Sequence, residues 1–148
     1  MKGLIIGLGS IARKHLKALE QVAEKVAVYA LRSSPSSANY PGVSNVYTYE
    51  EAAAINPDFV LISNPTSLHR EAIEKTIGWG KPLFIEKPVL AAVASGTALQ
   101  DRINQQKLLT YVACNLRFLE SLLFVKEYLK DKRLNEVNLY SGSFLPEW

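Results

Sequence analysis

Cysteine occurs once in the 148 residues, at Cys114. A single cysteine cannot close an intramolecular disulfide, so no cross-linked framework holds this chain. Long hydrophobic runs are missing too. No stretch is long enough to span a membrane. The apolar residues after Lys2 are few, broken by glycines and without a cleavage site, unlike a secretory signal. The cytoplasm is the expected compartment. Charge of one sign is scarce: 17 Lys and Arg face 14 Asp and Glu, for a net charge of +3. The basic residues are scattered. The densest groups are Arg13-Lys14 and Lys130-Asp131-Lys132-Arg133, the second interrupted by an acid. That pattern argues against nucleic acid as a partner. No internal repeat or low-complexity tract is present, and no metal site is expected.

What remains is an ordinary soluble composition, 48% hydrophobic and 21% charged, long enough for one domain with a real core. Short apolar runs alternate with helical segments. Strands are expected over 4–6, 26–31, 59–63, 83–86, 110–113 and 136–144, with a further piece at 46–49. Most are continuously apolar, as parallel strands covered on both faces are. Cys114 ends one of these runs and reads as a buried strand residue rather than a nucleophile.

Ala12, Leu16, Leu19 and Ala23 share one face of a first helix, and Phe118, Leu122, Val125 and Leu129 repeat the same spacing on a last one. Other helices are expected over 49–55, ending before Pro57; over 67–78, capped by Thr66 or Ser67; and over 90–106. The Ser/Pro-rich segment 33–45 reads as a loop. The β-α-β-α order implies an α/β fold, a doubly wound parallel sheet of the Rossmann type. The tail 136–144 alternates instead, like a strand of a half-exposed antiparallel sheet.

Three segments carry candidate chemistry. Lys2–Ile6 runs into Gly7-Leu8-Gly9-Ser10-Ile11-Ala12 and then into a helix. A dinucleotide site needs this order: Gly7 for a tight turn, Gly9 for close approach to phosphates, Ala12 for helix–sheet packing, and a helix start for the anion. A G-x-G-x-x-A alone is a weak signal, and the strand–turn–helix context strengthens it. The second segment, Ser63-Asn64-Pro65-Thr66-Ser67-Leu68-His69, follows the strand 59–63. Asn64 and Thr66 can bond ribose or phosphate. His69 either faces the cofactor or is a partly exposed helix residue. The third is Glu86-Lys87-Pro88 at the carboxyl end of a strand, where doubly wound sheets bind ligands. Lys87 there can hydrogen-bond a substrate hydroxyl and help its proton leave as hydride departs. Taken alone, Lys-Pro is as well explained by a turn.

These three motifs, in this order and at these strand ends, resemble the glucose-fructose oxidoreductase / inositol dehydrogenase / MocA family. Asn115-Leu116-Arg117-Phe118 is similar to the family's Asn-x-Arg-Phe segment. Leu145-Pro146-Glu147-Trp148 looks like the Leu-Pro-acid-Trp stretch of members associated with sugar or sugar-nucleotide substrates. The resemblance implies an oxidoreductase exchanging hydride with a secondary alcohol of a small sugar-type molecule. It makes Lys87 the catalytic lysine and puts pyrophosphate on the loop of Gly7, Leu8, Gly9, Ser10 and Ile11. It brings Asn64, Pro65, Thr66 and His69 to the cofactor near the nicotinamide ribose. Glu86 would contact the nicotinamide half, and Asn115 would lie beside the site.

Family members continue into a second α/β domain that carries most substrate contacts and an Asp-x-x-x-His pair. Neither is found in this chain. The expectation is therefore a nucleotide-binding domain over 1–117, then a linking helix and the first strand of a missing domain over 118–148. By itself such a chain would be inactive, and its bare strand edge would favour a homo-oligomer.

The cofactor is NADP or NAD. An acid about twenty positions beyond the glycine loop would favour NAD. Arg32-Ser33-Ser34 stands there instead, which leans to NADP, because Arg32 suits a 2′-phosphate and Ser33 adds a donor. A solvated strand-end arginine is the plainer explanation of Arg32. The competing function is a non-catalytic protein that binds or senses nicotinamide nucleotides.

Overall fold

The computed structural model describes residues 1–22, 25–92, 96–140 and 142. The chain divides into two compact units, Met1–Cys114 and Asn115–Trp148.

The first unit is a six-stranded sheet in the order β3-β2-β1-β4-β5-β6. The strands are β1 (Lys2–Ile6), β2 (Ala27–Leu31), β3 (Val43–Val46), β4 (Phe59–Ile62), β5 (Leu83–Ile85) and β6 (Thr110–Val112). Every neighbouring pair is parallel. Parallel neighbours need crossovers; residues 32–42 join β2 to β3 without a helix, and helices lie in the other connections. The helices are α1 (Ser10–Val22), α2 (Tyr49–Ala54), α3 (His69–Thr76) and α4 (Gly96–Gln105).

The period of two along β1 sorts the core into two layers. Leu4 and Ile6 pack with Val60, Ile62, Ala52, Ile73 and Leu99, on the face covered by α2, α3 and α4. Ile5 points the other way, with Leu61, Ala30, Ala12 and Leu16, under α1. Both faces are covered, hence the unbroken apolar runs. Leu4, Ile5 and Ile62 are fully buried, each contributing about 1.5–3 kcal/mol of transfer free energy.

Local chemistry sets the helix ends. Thr48 caps α2, its Oγ1 accepting from Glu51 N at 3.1 Å, while Glu51 Oε2 accepts from Tyr47 N at 2.7 Å. The two satisfy otherwise orphaned donors reciprocally. Neither Thr66 nor Ser67 caps α3 with its side chain. Thr66–Leu68 instead form a 3-10 turn after Pro65, and α3 begins at His69. The helix expected over 90–106 begins at Gly96, with 93–95 outside the described residues. Leu90 packs on the core ahead of it. Cys114, expected to be buried, is exposed, because the edge strand β6 stops at Val112.

In the second unit, Asn115–Phe118 form a 3-10 turn and α5 spans Glu120–Leu129. Phe124 stacks on Tyr128 one turn later, with ring centroids 6.2 Å apart, and Lys132 Nζ lies 3.0 Å from the Tyr128 centroid. The strand expected over 136–144 is not formed by 136–140. A strand needs a ladder partner, and Leu139 and Tyr140 stand 89% and 94% exposed. Residues 141 and 143–148, with the Leu-Pro-Glu-Trp stretch, lie outside the described residues.

Chain order runs outward from β1 to β3 and then returns to β4 on the other side of β1. This reversal opens a crevice at the carboxyl ends of β1 and β4. Gly7 turns the chain there at φ +82°, and a Cβ on it would lie 2.6 Å from Asn64 Cα and 2.8 Å from Asn64 N. Gly9 differs, since a Cβ there would meet nothing within 4 Å and its φ is not positive. Gly7→Ala should therefore lose at least about 1–2 kcal/mol of unfolding free energy. Gly9→Ala should stay within about 0.5 kcal/mol. Urea unfolding of the two variants measures the contrast, and equal losses would contradict this account of the turn.

Candidate functional site

A cleft of about 700 Å³ opens at this reversal point. Its floor is the end of β1 and the turn Gly7-Leu8-Gly9, with Ser10 and Ile11 opening α1 beside it. The turn is pinned from both sides. Gly7 N donates to Leu31 O at 3.1 Å, and Ser63 Oγ donates to Gly7 O at 2.9 Å. The first N–H groups of α1 have no partner within the helix, and no acidic residue occupies its first turn. That end of the cleft is suited to an anion.

The opposite wall is the loop after β4. Asn64 and Pro65 line the cleft. Asn64 Nδ2 donates weakly to Leu68 O at 3.4 Å, whereas its Oδ1 is buried without a hydrogen-bond partner among the described residues. A buried acceptor left unpaired costs about 1–3 kcal/mol. A donor on a ligand in the cleft would satisfy it. The unfilled space over Gly9 and the orphaned Asn64 oxygen fit the pyrophosphate and ribose of a dinucleotide.

Arg32, Ser33, Ser37, Tyr47, Tyr49 and Glu71 line the far end. Arg32 Nη1 donates to Ala38 O at 3.1 Å and to Asn45 Oδ1 at 3.3 Å. These bonds hold the guanidinium while Nε and Nη2 keep donors to spare. Burial, and then the Glu71 carboxylate, raise the Tyr49 phenol above its ordinary 10.0. It stays protonated at neutral pH and can donate into the cleft.

Thr66, His69, Glu86 and Lys87 do not line this cleft. His69, expected to face the cofactor, is 1% exposed, with Nδ1 3.0 Å from Pro88 O and Nε2 2.8 Å from Asn64 O. Its ring ties the Asn64 loop to the Lys87 segment. Glu86 is also buried, and both its oxygens are engaged. Oε1 meets His15 Nε2 at 2.6 Å, and Oε2 accepts from Lys87 N at 3.1 Å. Each carboxylate oxygen thus holds one partner inside the fold. Lys87 is exposed and precedes a cis peptide bond to Pro88. Asn115 belongs to the second unit, where it opens the 3-10 turn.

Sequence reasoning overlooked His15, Ser63 and Tyr49. His15 follows Ala12 by three positions, beside the apolar stripe of α1, and that spacing was its available signal. Ser63 is the first polar residue after an apolar strand whose neighbour is the glycine turn. Tyr49 carried no signal, since only the fold brings α2 to the cleft.

Known proteins agree with this geometry. The family model described as an oxidoreductase family with an NAD-binding Rossmann fold matches residues 1–114. The chain is 29% identical over 142 residues to inositol 2-dehydrogenase of Rhizobium meliloti, covering 91% of this chain and 42% of that protein. It is 27% identical over 116 residues to the NADP(+) scyllo-inositol 2-dehydrogenase of Bacillus subtilis, covering 76% and 32%. The fold resembles that of the WlbA dehydrogenase of Chromobacterium violaceum, solved with NADH and UDP-GlcNAcA. That match has a TM-score of 0.80 at 20% identity, over 91% of this chain and 41% of that one. The chain thus spans well under half the length of these relatives. A glycine turn at the β1–β4 crevice, the matched 114 residues and the 3-2-1-4-5-6 sheet together make this chain a member of the Gfo/Idh/MocA oxidoreductase family, with its NAD-binding Rossmann fold.

Proposed function

We propose that the unit Met1–Cys114 binds NADP or NAD for an oxidoreductase acting on a secondary alcohol of a sugar-type or sugar-nucleotide molecule. The observation that carries the reading is the cleft itself, lined by the glycine turn with open space over Gly9, by the start of α1 and by Asn64, whose shielded Oδ1 lacks a partner among the described residues. Pyrophosphate lies against the N–H groups of Ser10 and Ile11 in this reading, and a ribose hydroxyl donates to Asn64 Oδ1. Pro65 carries the adjoining wall. The bound nicotinamide would supply the hydride donor or acceptor. Lys87 holds the substrate hydroxyl and helps its proton leave. The inositol substrates of the two curated relatives are polyols, which supports a polyhydroxylated substrate class.

Turnover belongs, in this proposal, to the whole oxidoreductase, of which this chain corresponds to about two-fifths. The unit Asn115–Trp148 would lead into the part that holds substrate.

NADP is favoured over NAD. Arg32 lines the cleft with donors to spare, Ser33 lies next to it, and a guanidinium fork matches a phosphate. The glutamate at the same end, Glu71, would repel a 2′-phosphate and is the feature that favours NAD.

Titrating the chain with NADPH and NADH, followed by nicotinamide fluorescence, tests both levels. Saturable binding with NADPH the tighter ligand is expected. Absence of saturation with either nucleotide would overturn the binding reading. Arg32→Asp should weaken NADPH about tenfold or more, which is about 1.4 kcal/mol, and leave NADH within a factor of about two. Equal effects on both would remove Arg32 from the 2′-phosphate site.

A further inference from the structure

We propose that the chain's two histidines, His15 and His69, are positioning residues that grip the backbone on either side of Lys87. The inference deepens the reading of Lys87 as the group that meets the substrate, and it rests on that reading for its functional meaning.

His15 acts from α1. Its Nε2 lies 2.6 Å from Glu86 Oε1, and the other Glu86 oxygen accepts the backbone N–H of Lys87 at 3.1 Å. The pair is mostly shielded, with side chains 22% and 11% exposed, so competition from water is limited. Phe84 sets the ring's orientation. It precedes Glu86 by two positions, contacts the His15 ring edge-on at 5.2 Å and 73°, and is stacked on Tyr111 at 5.3 Å.

His69 acts from α3, on the opposite face of the sheet. Its Nδ1 approaches Pro88 O and its Nε2 approaches Asn64 O. Carbonyl oxygens only accept, so a neutral ring serves one of them and a doubly protonated ring serves both.

The residue before Lys87 is thus tied to the helix that starts at the glycine turn. The residue after it is tied to the Asn64 loop. The lysine itself is exposed on a long, flexible stem. Fixing its backbone is the means this chain has of aiming the amine, since a loss of about 1 Å in placement is costly for a reacting group. Simple space-filling would be met by apolar side chains, yet each histidine spends one ring nitrogen on a residue flanking one lysine.

The test uses the full chain with 13Cε-labelled lysine, the Lys87 resonance being assigned by Lys87→Arg. His15→Leu fills the space without a donor, whereas His15→Gln keeps an N–H near the Nε2 position. His69→Leu and His69→Asn make the matching pair, asparagine keeping a donor near Nδ1 for Pro88 O. The Leu variants should shift or broaden the Lys87 line, and the Gln and Asn variants should restore it, with the remaining lysine lines unmoved. An unchanged Lys87 line in a folded His15→Leu chain would overturn the proposal. So would failure of Gln to restore a line that Leu had moved. Should the buried His69→Leu variant not fold, the His15 pair decides alone, because His15 is 22% exposed where His69 is 1% exposed. The readout needs no nucleotide. A braced Lys87 in a chain that binds no cofactor would sink the functional reading and leave the brace standing.

Discussion

The close approach of two strand ends governs everything at the cleft. β1 and β4 are hydrogen-bonded neighbours, yet their loops must part to leave a crevice between them. Gly7 makes that possible. Its positive φ turns the chain away at once, and its missing Cβ lets the Asn64 backbone come within a distance that any other residue would block. Ser63 locks the arrangement by bonding to the Gly7 carbonyl. The helix start at Ser10 and Asn64 then line one cleft. Were the turn wider, each would still exist and neither would share a ligand with the other.

A second constraint acts across the layers. The core comprises two sets of side chains, one on each face of the sheet. Helices on separate faces reach one another's side at the segment after β5, at the sheet's carboxyl edge. His15 and His69 sit at that edge, one from each side, and meet the segment after β5. Three motifs distant in sequence thereby become one structure. The contacts of Glu86 and His69 at this edge serve geometry.

Much of this was legible in the sequence. Continuous apolar runs announced strands covered on both faces, and the glycine turn between strand and helix announced the crevice. What failed to show has physical causes. The 136–144 segment alternates like a strand, but alternation describes a face and says nothing of a partner, and 136–140 form no strand among the described residues. Thr66 is a good cap by type, whereas Pro65 starts a 3-10 turn that leaves it no capping position. His69 read equally as a ligand contact or a surface residue. Its burial depends on Pro88, nineteen positions away, a distance over which local patterning carries no information. Arg32 was visible as a charge at the right strand end. Its fixing by Ala38 and Asn45 depends on how the segment after β2 folds back and on the pairing of β3.

The central claim is that the β1–β4 crevice is the nucleotide site. Amide chemical-shift mapping of the 15N-labelled chain during NADPH addition tests it most directly. The account predicts that the largest shifts fall on Gly7, Gly9, Ser10, Ile11 and Asn64, with the Asn64 side-chain amide moving alongside them. Saturable shifts confined elsewhere, such as the apolar groove of Leu19, Phe84 and Tyr111, would contradict it, because the nucleotide would then bind away from the glycine turn.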